Sequence, residues 1–223
     1  GYDESDYQEV LIKLNKDLAD PECIGIGEIG LFHFNKTGKQ NVIQFPPTFK
    51  PFQEIVGLIA KSGKWLDLHA EPMTPEGKSF ENEVFGGIAL LYQNNPDLKL
   101  IVSHTAMTNP VNARRLLQVY PTMMMNFKPI KKHQFWRNLE PITDSRGRLY
   151  EDWAMLFQEM PERFMVGSDE KFGRSGSGAL AKKGERLERY GKHIKQIRKI
   201  LGSLDTDTAS KIAHQNARRV FGF

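Results

Sequence analysis

Trp65-Leu66-Asp67-Leu68-His69 and Leu100-Ile101-Val102-Ser103-His104 are short apolar runs, and each ends in a side chain suited to binding metal. Two further runs end in the same way, Gly25-Ile26-Gly27-Glu28 and Phe164-Met165-Val166-Gly167-Ser168-Asp169. In a barrel of parallel strands all carboxyl ends open onto one face, so a Glu, two His and an Asp at those ends would converge. The pattern therefore predicts a metal-assisted active site.

The segments between these runs have helical periodicity, and the alternation predicts parallel βαβ units with right-handed crossovers. The predicted strands are residues 23–30, 64–68, 98–103, 122–127 and 163–168. The predicted helices are residues 6–19, 52–62, 80–94, 112–120, 150–159, 183–201 and 208–221. The polar, proline-bearing stretch at 36–50 indicates a long loop at the mouth of a site. We expect an α/β fold.

The composition bounds the class of protein. With 223 residues, 39% of them hydrophobic, the chain can bury a substantial core, and we expect one domain over residues 1–223. Its net charge of +4 allows an anionic substrate and is mild for a nucleic-acid binder. The single cysteine, Cys23, excludes a cysteine zinc site, so nitrogen and oxygen must hold any metal.

No apolar stretch approaches the ~20 residues that span a bilayer, so we expect a soluble protein with no membrane partner. The first residues lack the features of a signal peptide, and any such signal would lie upstream of Gly1, so the compartment is unknown and cytoplasmic is only the default. The sequence leaves the oligomeric state open.

Each candidate ligand also has a structural interpretation. Glu28 could cap the following turn or pair with a base, and His69 could donate to a neighbouring carbonyl. Asp169 follows a mostly apolar run, where a charge is expensive to bury unless it is paired or bound to a cation. The matching position of His69 and His104 in their units favours the metal site, because four strand ends supply groups suited to one divalent ion.

Imidazole and carboxylate together suit zinc, manganese, iron or nickel rather than calcium, and we expect zinc first. Such an ion lowers the pKa of a bound water and polarises the oxygen of a substrate carbonyl or phosphoryl group. Asp169 is the expected proton shuttle. We expect a small-molecule substrate.

Three basic residues at predicted strand ends are candidates for substrate binding, namely Lys128, Lys171 and Arg174, which could hold an anionic group or be solvated loop charges. The basic helix at 183–201 could indicate a nucleic-acid surface. It also carries glutamates and an apolar inner face, which favours a solvated outer helix of a barrel and disfavours nucleic acid as a partner.

The residues resemble the amidohydrolase superfamily of metal-dependent hydrolases. The resemblance rests on Gly27-Glu28-Ile29-Gly30-Leu31, Leu68-His69, Ser103-His104, Gly167-Ser168-Asp169 and the closing Asn216-Ala217-Arg218-Arg219-Val220-Phe221. The first of these is most similar to TatD-type deoxyribonucleases. The resemblance implies a TIM-type (β/α)8 barrel. It also implies that Glu28 is a metal ligand or bridge from the fourth strand, that His69 and His104 are ligands from the fifth and sixth, and that Asp169 is the ligand and proton shuttle from the eighth.

One departure from this family concerns the first barrel strand, where its members carry a His-x-His pair. Here the first histidine is His33, which follows Glu28 and is not part of such a pair. Five strands against eight imply that only the last five units are present and that about three units, on the order of ninety residues, precede Gly1. The alternative is a divergent protein that completes its barrel otherwise.

The function expected from these residues is a metal-dependent hydrolase acting on a small ester, lactone, amide or phosphoester. The alternatives are a catalytically silent barrel that acts as a binding protein, and a TatD-like nuclease.

Overall fold

The structure, a computed structural model, describes residues 4–34, 43–74, 76–128, 142–168 and 179–223, with side chains described outside 43–44 and 179–189. These residues form two compact units, one ending at Met124 and the other beginning at Met125. That the whole chain is a single catalytic barrel domain stays a prediction. None of the described helices has the length and apolar character that crossing a membrane requires.

The first unit is built on the strands β1 (Gly25–His33), β2 (Ile43–Gln44), β3 (Trp65–Ala70) and β4 (Lys99–Val102), in the order β2-β1-β3-β4. β1, β3 and β4 run parallel, whereas β2 pairs antiparallel with the end of β1. The parallel ladder pairs Leu66 with Leu100 and Leu68 with Val102, all of which are fully buried. Because parallel strands are covered on both faces, their sequences are nearly continuous apolar runs.

The helices of the first unit are α1 (Glu4–Ala19), α2 (Lys50–Lys61), α3 (Glu81–Asn94) and α4 (Pro110–Val119). The start of α4 follows from its sequence, because the Asn109 side chain accepts from the backbone N–H of Asn112 and Pro110 occupies the first turn. A short turn, Ser103–Met107, joins β4 to α4.

The second unit contains the parallel pair β5 (Met124–Phe127) and β6 (Phe164–Val166). Its helices are α5 (Glu151–Glu159), α6 (Ala179–Leu201), α7 (Thr206–Ser210) and α8 (Asn216–Phe221), with a 3-10 turn at Pro161–Arg163 and a π turn at Lys211–Gln215. Four fully buried aromatic residues lie in its core, where the ring of Phe157 is 4.7–5.8 Å from each of the other three rings: Phe127, Trp153 and Phe164.

The described residues thus contain three parallel strands in the first unit and two in the second, and in each unit the strands alternate with helices, as the sequence predicts. The structure differs from the expectation in three places. β1 and β3 run further than expected, to His33 and Ala70, because Phe32 pairs with Ala70 beyond a register shift. The short β2 lies inside the stretch expected to be a loop. The single closing helix expected at 208–221 is divided by the π turn into α7 and α8.

Candidate metal centre

Three successive parallel strands of the first unit present Glu28, His69 and His104. His69 is the penultimate residue of β3, and His104 follows the end of β4 by two residues. Glu28 lies in β1 between Ile26 and Ile29, where the pairing with β3 shifts register. Irregular pairing of this kind changes the direction of a side chain. Here the carboxylate of Glu28 faces the imidazoles of both histidines.

The three side chains meet at one oxygen atom. Oε1 of Glu28 lies 2.7 Å from Nδ1 of His69 and 3.2 Å from Nε2 of His104. The two imidazole rings are 5.1 Å apart at 77° to each other, and one ligand atom from each residue lies within 4.8 Å of the others. The histidine side chains are only 10% and 4% exposed, whereas Glu28 is 33% exposed. The cluster therefore has a buried side formed by imidazoles and an open side at the carboxylate.

The backbone that carries His104 has an unusual conformation. His104, Thr105, Ala106 and Met107 all have positive φ, at 58°, 54°, 53° and 46°. The left-handed region costs roughly 1–2 kcal/mol per residue for side chains with a Cβ. All four residues are buried, so the packing of the unit holds this turn in place. Strained backbone held in this way clusters at functional sites.

The charges in the cluster are mutually stabilising. Burial works to raise the pKa of Glu28, but its hydrogen bonds to His104 and His69 hold that pKa far below its usual range. Burial works to lower the pKa of His69, but its hydrogen bonds to Glu28 and Glu71 raise it above its ordinary value. These hydrogen bonds therefore favour the ionised carboxylate of Glu28 and the protonated imidazole of His69.

β1 and β3 approach each other closely beneath this cluster. A Cβ added to Gly27 would lie 2.5 Å from the Cβ of Asp67, and one added to Gly25 would lie 2.7 Å from the carbonyl oxygen of Trp65. Both distances are too short for real side chains. The glycines of β1 thus permit the strand spacing that brings Glu28 to His69, as the glycine-rich sequence of a closely packed strand indicates.

Two residues that the sequence analysis did not place in the site lie behind His69. Glu71 lies beyond the predicted strand at 64–68, and His33 is not part of a His-x-His pair. In the structure Oε1 of Glu71 lies 3.0 Å from Nε2 of His69 and 3.0 Å from Nδ1 of His33. The only sequence signal for Glu71 is its spacing of two from His69, which puts both on the same side of an extended chain.

The other predicted site residues are Lys128, Asp169, Lys171 and Arg174. Lys128 follows β5 in the second unit and is half-buried. Asp169, Lys171 and Arg174 lie outside the described residues, so their roles stay predictions.

The donor set fits a divalent transition metal. Two imidazole nitrogens and one carboxylate oxygen are the ligands that zinc accepts at catalytic sites, which keep a further position open. Nδ1 of His69 and Nε2 of His104 face the same carboxylate oxygen, so each ring turns one nitrogen toward the same small region.

Comparison with known proteins gives the fold. No protein-family model and no curated protein matches the chain. Among solved structures it resembles IDCase from Metarhizium anisopliae, with a TM-score of 0.54 at 14% identity over 96% of this chain and 61% of that one. It also resembles beta-aspartyl dipeptidase from Fervidobacterium islandicum AW-1, solved with a beta-Asp-Leu dipeptide, with a TM-score of 0.52 at 14% identity over 94% of this chain and 51% of that one.

The chain spans about half to three fifths of the length of these two proteins. Both are TIM-barrel enzymes of the amidohydrolase superfamily. At 14% identity this similarity is evidence of a shared fold alone. The chain shares its fold with amidohydrolase-superfamily barrels over the length that it covers, which confirms the predicted fold class.

Proposed function

We propose that this chain carries the metal centre of a metal-dependent hydrolase of the amidohydrolase type. The observation that supports this most is the convergence of Glu28 Oε1, His69 Nδ1 and His104 Nε2, which come from three successive parallel strands and lie within 4.8 Å of one another. Titratable groups whose pKa values are shifted, as those of Glu28 and His69 are, cluster at functional sites.

Glu28, His69 and His104 would hold the metal, with Asp169 as a fourth ligand. Zinc is the first expectation, and manganese, iron or nickel suits the same donors. A divalent ion at this position supplies Lewis acidity and makes a water molecule nucleophilic near neutral pH.

The protein's own groups would do the remaining work. Asp169 would accept the proton of the attacking water and return it to the leaving group, as a positioned carboxylate does in general acid–base catalysis. Lys128, Lys171 and Arg174 would bind an anionic group of the substrate. We propose a small ester, lactone, amide or phosphoester, because each presents an oxygen that a metal polarises.

A competing function is a catalytically silent barrel that binds a small molecule or a partner. One observation favours it: Glu28 already pairs with both His69 and His104, so these polar side chains have partners in an ion-paired network without a metal. Such a network can be structural, so metal binding has to be measured.

Metal analysis of the 223-residue chain tests the proposal. We expect near-stoichiometric zinc or manganese that is lost in His69→Ala and in His104→Ala. His214→Ala, which removes an exposed histidine of the π turn, is the matched control and should keep the metal. The metal-loaded protein is then assayed on activated esters, lactones, amides and phosphoesters, where His69→Ala should abolish turnover. Absence of bound metal at a pH where the histidines are neutral would overturn the proposal and favour the silent barrel.

A further inference from the structure

The imidazole of His69 is contacted on both of its nitrogens. Nδ1 faces Glu28, on the side where the metal is proposed to bind, and Nε2 lies 3.0 Å from Oε1 of Glu71 on the opposite side. Glu71 is completely buried, and burying a carboxylate is costly unless its oxygens are bonded. A buried carboxylate beside Nε2 of His69 therefore has to be explained by the bonds that it makes.

Glu71 is held in place by the end of β1. The backbone N–H of Phe34 donates to Oε2 of Glu71 at 2.7 Å, and the backbone N–H of Glu71 itself donates to the carbonyl of Phe32 at 3.1 Å. One carboxylate oxygen is thereby fixed as an acceptor for the backbone. The other is fixed in direction, and it points at Nε2 of His69.

We propose that Glu71 is a positioning residue that sets the tautomer of His69, an inference that rests on the proposed metal centre. By accepting the Nε2 proton, the carboxylate leaves the lone pair on Nδ1, facing Glu28 and His104. Metal-binding histidines almost always donate their second ring N–H to such a partner, which fixes the ring and raises its basicity. Glu71 does this without contacting the metal or the substrate.

His33, His69 and Glu71 have ligand atoms 3.0–3.1 Å from one another, so a second metal position is the rival interpretation. It is disfavoured because the shared atom is Nε2 of His69. Occupying both positions at once would remove both ring protons of His69. With Glu71 as the acceptor, His69 keeps its proton on Nε2. His33, which is 26% exposed, is then a second imidazole beside Oε1 of Glu71 and not a metal ligand.

The substitution Glu71→Gln tests the inference because the Phe34 N–H selects the orientation of the new amide. With the amide oxygen held by Phe34, the NH₂ group faces Nε2 of His69 and forces the ring proton onto Nδ1, where it blocks metal binding. We expect zinc affinity to fall about 10–100-fold, with one zinc still bound per chain at saturation. Glu83→Gln, an exposed charge-matched control on α3, should bind zinc like the parent chain.

Two readouts separate positioning from a merely structural role. Nitrogen-15 NMR of the zinc-loaded parent chain should show the His69 proton on Nε2, a measurement that needs no variant. Thermal unfolding of the metal-free variants reports any general loss of stability. Zinc affinity in Glu71→Gln within threefold of the Glu83→Gln control, or a His69 proton on Nδ1 in the zinc-loaded parent chain, would overturn the inference and leave the proposed function intact.

Metal stoichiometry decides between positioning and a second metal. Two zinc ions per chain, reduced to one by both His33→Ala and Glu71→Gln, would replace our inference with a second metal position. If the parent chain binds no zinc, the proposed function and this inference both fail. That result is distinct from unchanged zinc affinity in Glu71→Gln and from two zinc ions per chain, which leave the proposed function intact.

Discussion

The hydroxyl of Ser103 donates a 2.7 Å hydrogen bond to Oδ1 of Asp67, joining the end of β4 to the middle of β3 directly beside His104. Ser103 is buried, and hydrogen bonds to ionised groups are stronger than those between neutral groups. Ser103→Ala should therefore lower the free energy of unfolding by about 1.5–3 kcal/mol, measured by urea denaturation. Ser145→Ala removes an exposed hydroxyl in the second unit and should change it by less than about 0.5 kcal/mol. Equal effects of the two substitutions would show that the Ser103 bond contributes little.

Two glycine-to-alanine substitutions should have opposite signs. At Gly27 the new methyl group would lie 2.5 Å from Asp67 Cβ, so β1 and β3 must separate, at a cost of roughly 1–3 kcal/mol. At Gly86, in α3, nothing lies within 4 Å of the added carbon, and alanine should stabilise the helix by about 0.5–1 kcal/mol. Thermal unfolding measures both effects. Gly27→Ala should also weaken zinc binding, because Glu28 moves with β1. A stable Gly27→Ala variant with unchanged zinc affinity would contradict the close approach of the strands.

The stability of the metal-free protein should depend on pH through Glu28 and His69. The folded pKa of Glu28 lies below its ordinary 4.5, so its contribution is present above pH 4.5 and is lost as the pH falls through the folded pKa. The folded pKa of His69 lies above its ordinary 6.5, so its contribution is present below pH 6.5 and is lost as the pH rises through the folded pKa. The difference in free energy of unfolding between the parent chain and Glu28→Gln should therefore be largest between about pH 4.5 and 6.5.

Denaturation in the presence of a chelator at pH 3, 5.5 and 9 measures this difference. Glu83→Gln controls for the loss of one negative charge from the surface. A Glu28→Gln difference that stays constant across the three pH values would show that the ion pair does not form.

Zinc binding should release protons. The pKa of His69 is raised in the metal-free protein, so the form that carries a proton on the nitrogen proposed to bind the metal persists to a higher pH than in a free histidine. Calorimetric titration in two buffers of different ionisation enthalpy counts the protons released, and affinity should increase as pH rises through the His69 pKa. His214→Ala should release the same number as the parent chain. Binding without proton release at pH 6.5 would mean that His69 is already neutral.

In the second unit, Asn216 should be essential for stability. Its buried amide nitrogen donates to the carbonyls of Pro161 and Phe164, each at 2.7 Å, and so joins α8 to the start of β6. Asn216→Asp would place a carboxylate oxygen against two carbonyls, and we expect a loss of about 3 kcal/mol or more in the free energy of unfolding. Gln215→Glu, an exposed neighbour with the same change of charge, should be nearly neutral. A neutral Asn216→Asp would contradict this geometry.

The strands and the convergence of Glu28, His69 and His104 could be predicted because each rests on a local signal. Apolar runs indicated the parallel strands, and the polar residue that ends each run indicated Glu28, His69 and His104. Glu71 does not end an apolar run, because the run in β3 ends at His69. β3 itself continues to Ala70 because Ala70 pairs with Phe32 of β1, and this pairing is not visible in the sequence. Its role depends on the Phe34 N–H and on His33, contacts that only tertiary structure creates.

The turn after β4 could not be predicted for a different reason. Glycine and asparagine are the residues that signal a left-handed backbone, and Ser103-His104-Thr105-Ala106-Met107 contains neither. The roles of Asp169, Lys171 and Arg174 remain predictions from sequence alone.

That left-handed turn has a consequence for how the centre is assembled. A free peptide with this sequence would avoid four successive positive φ angles. His104 therefore reaches its position in the site only when the residues around the turn are packed as in the folded chain. The position of His104, the third proposed ligand, therefore depends on the packing of the core. Mutations that loosen the packing under the turn should reduce metal retention before they unfold the chain, and bound metal should in turn protect that packing.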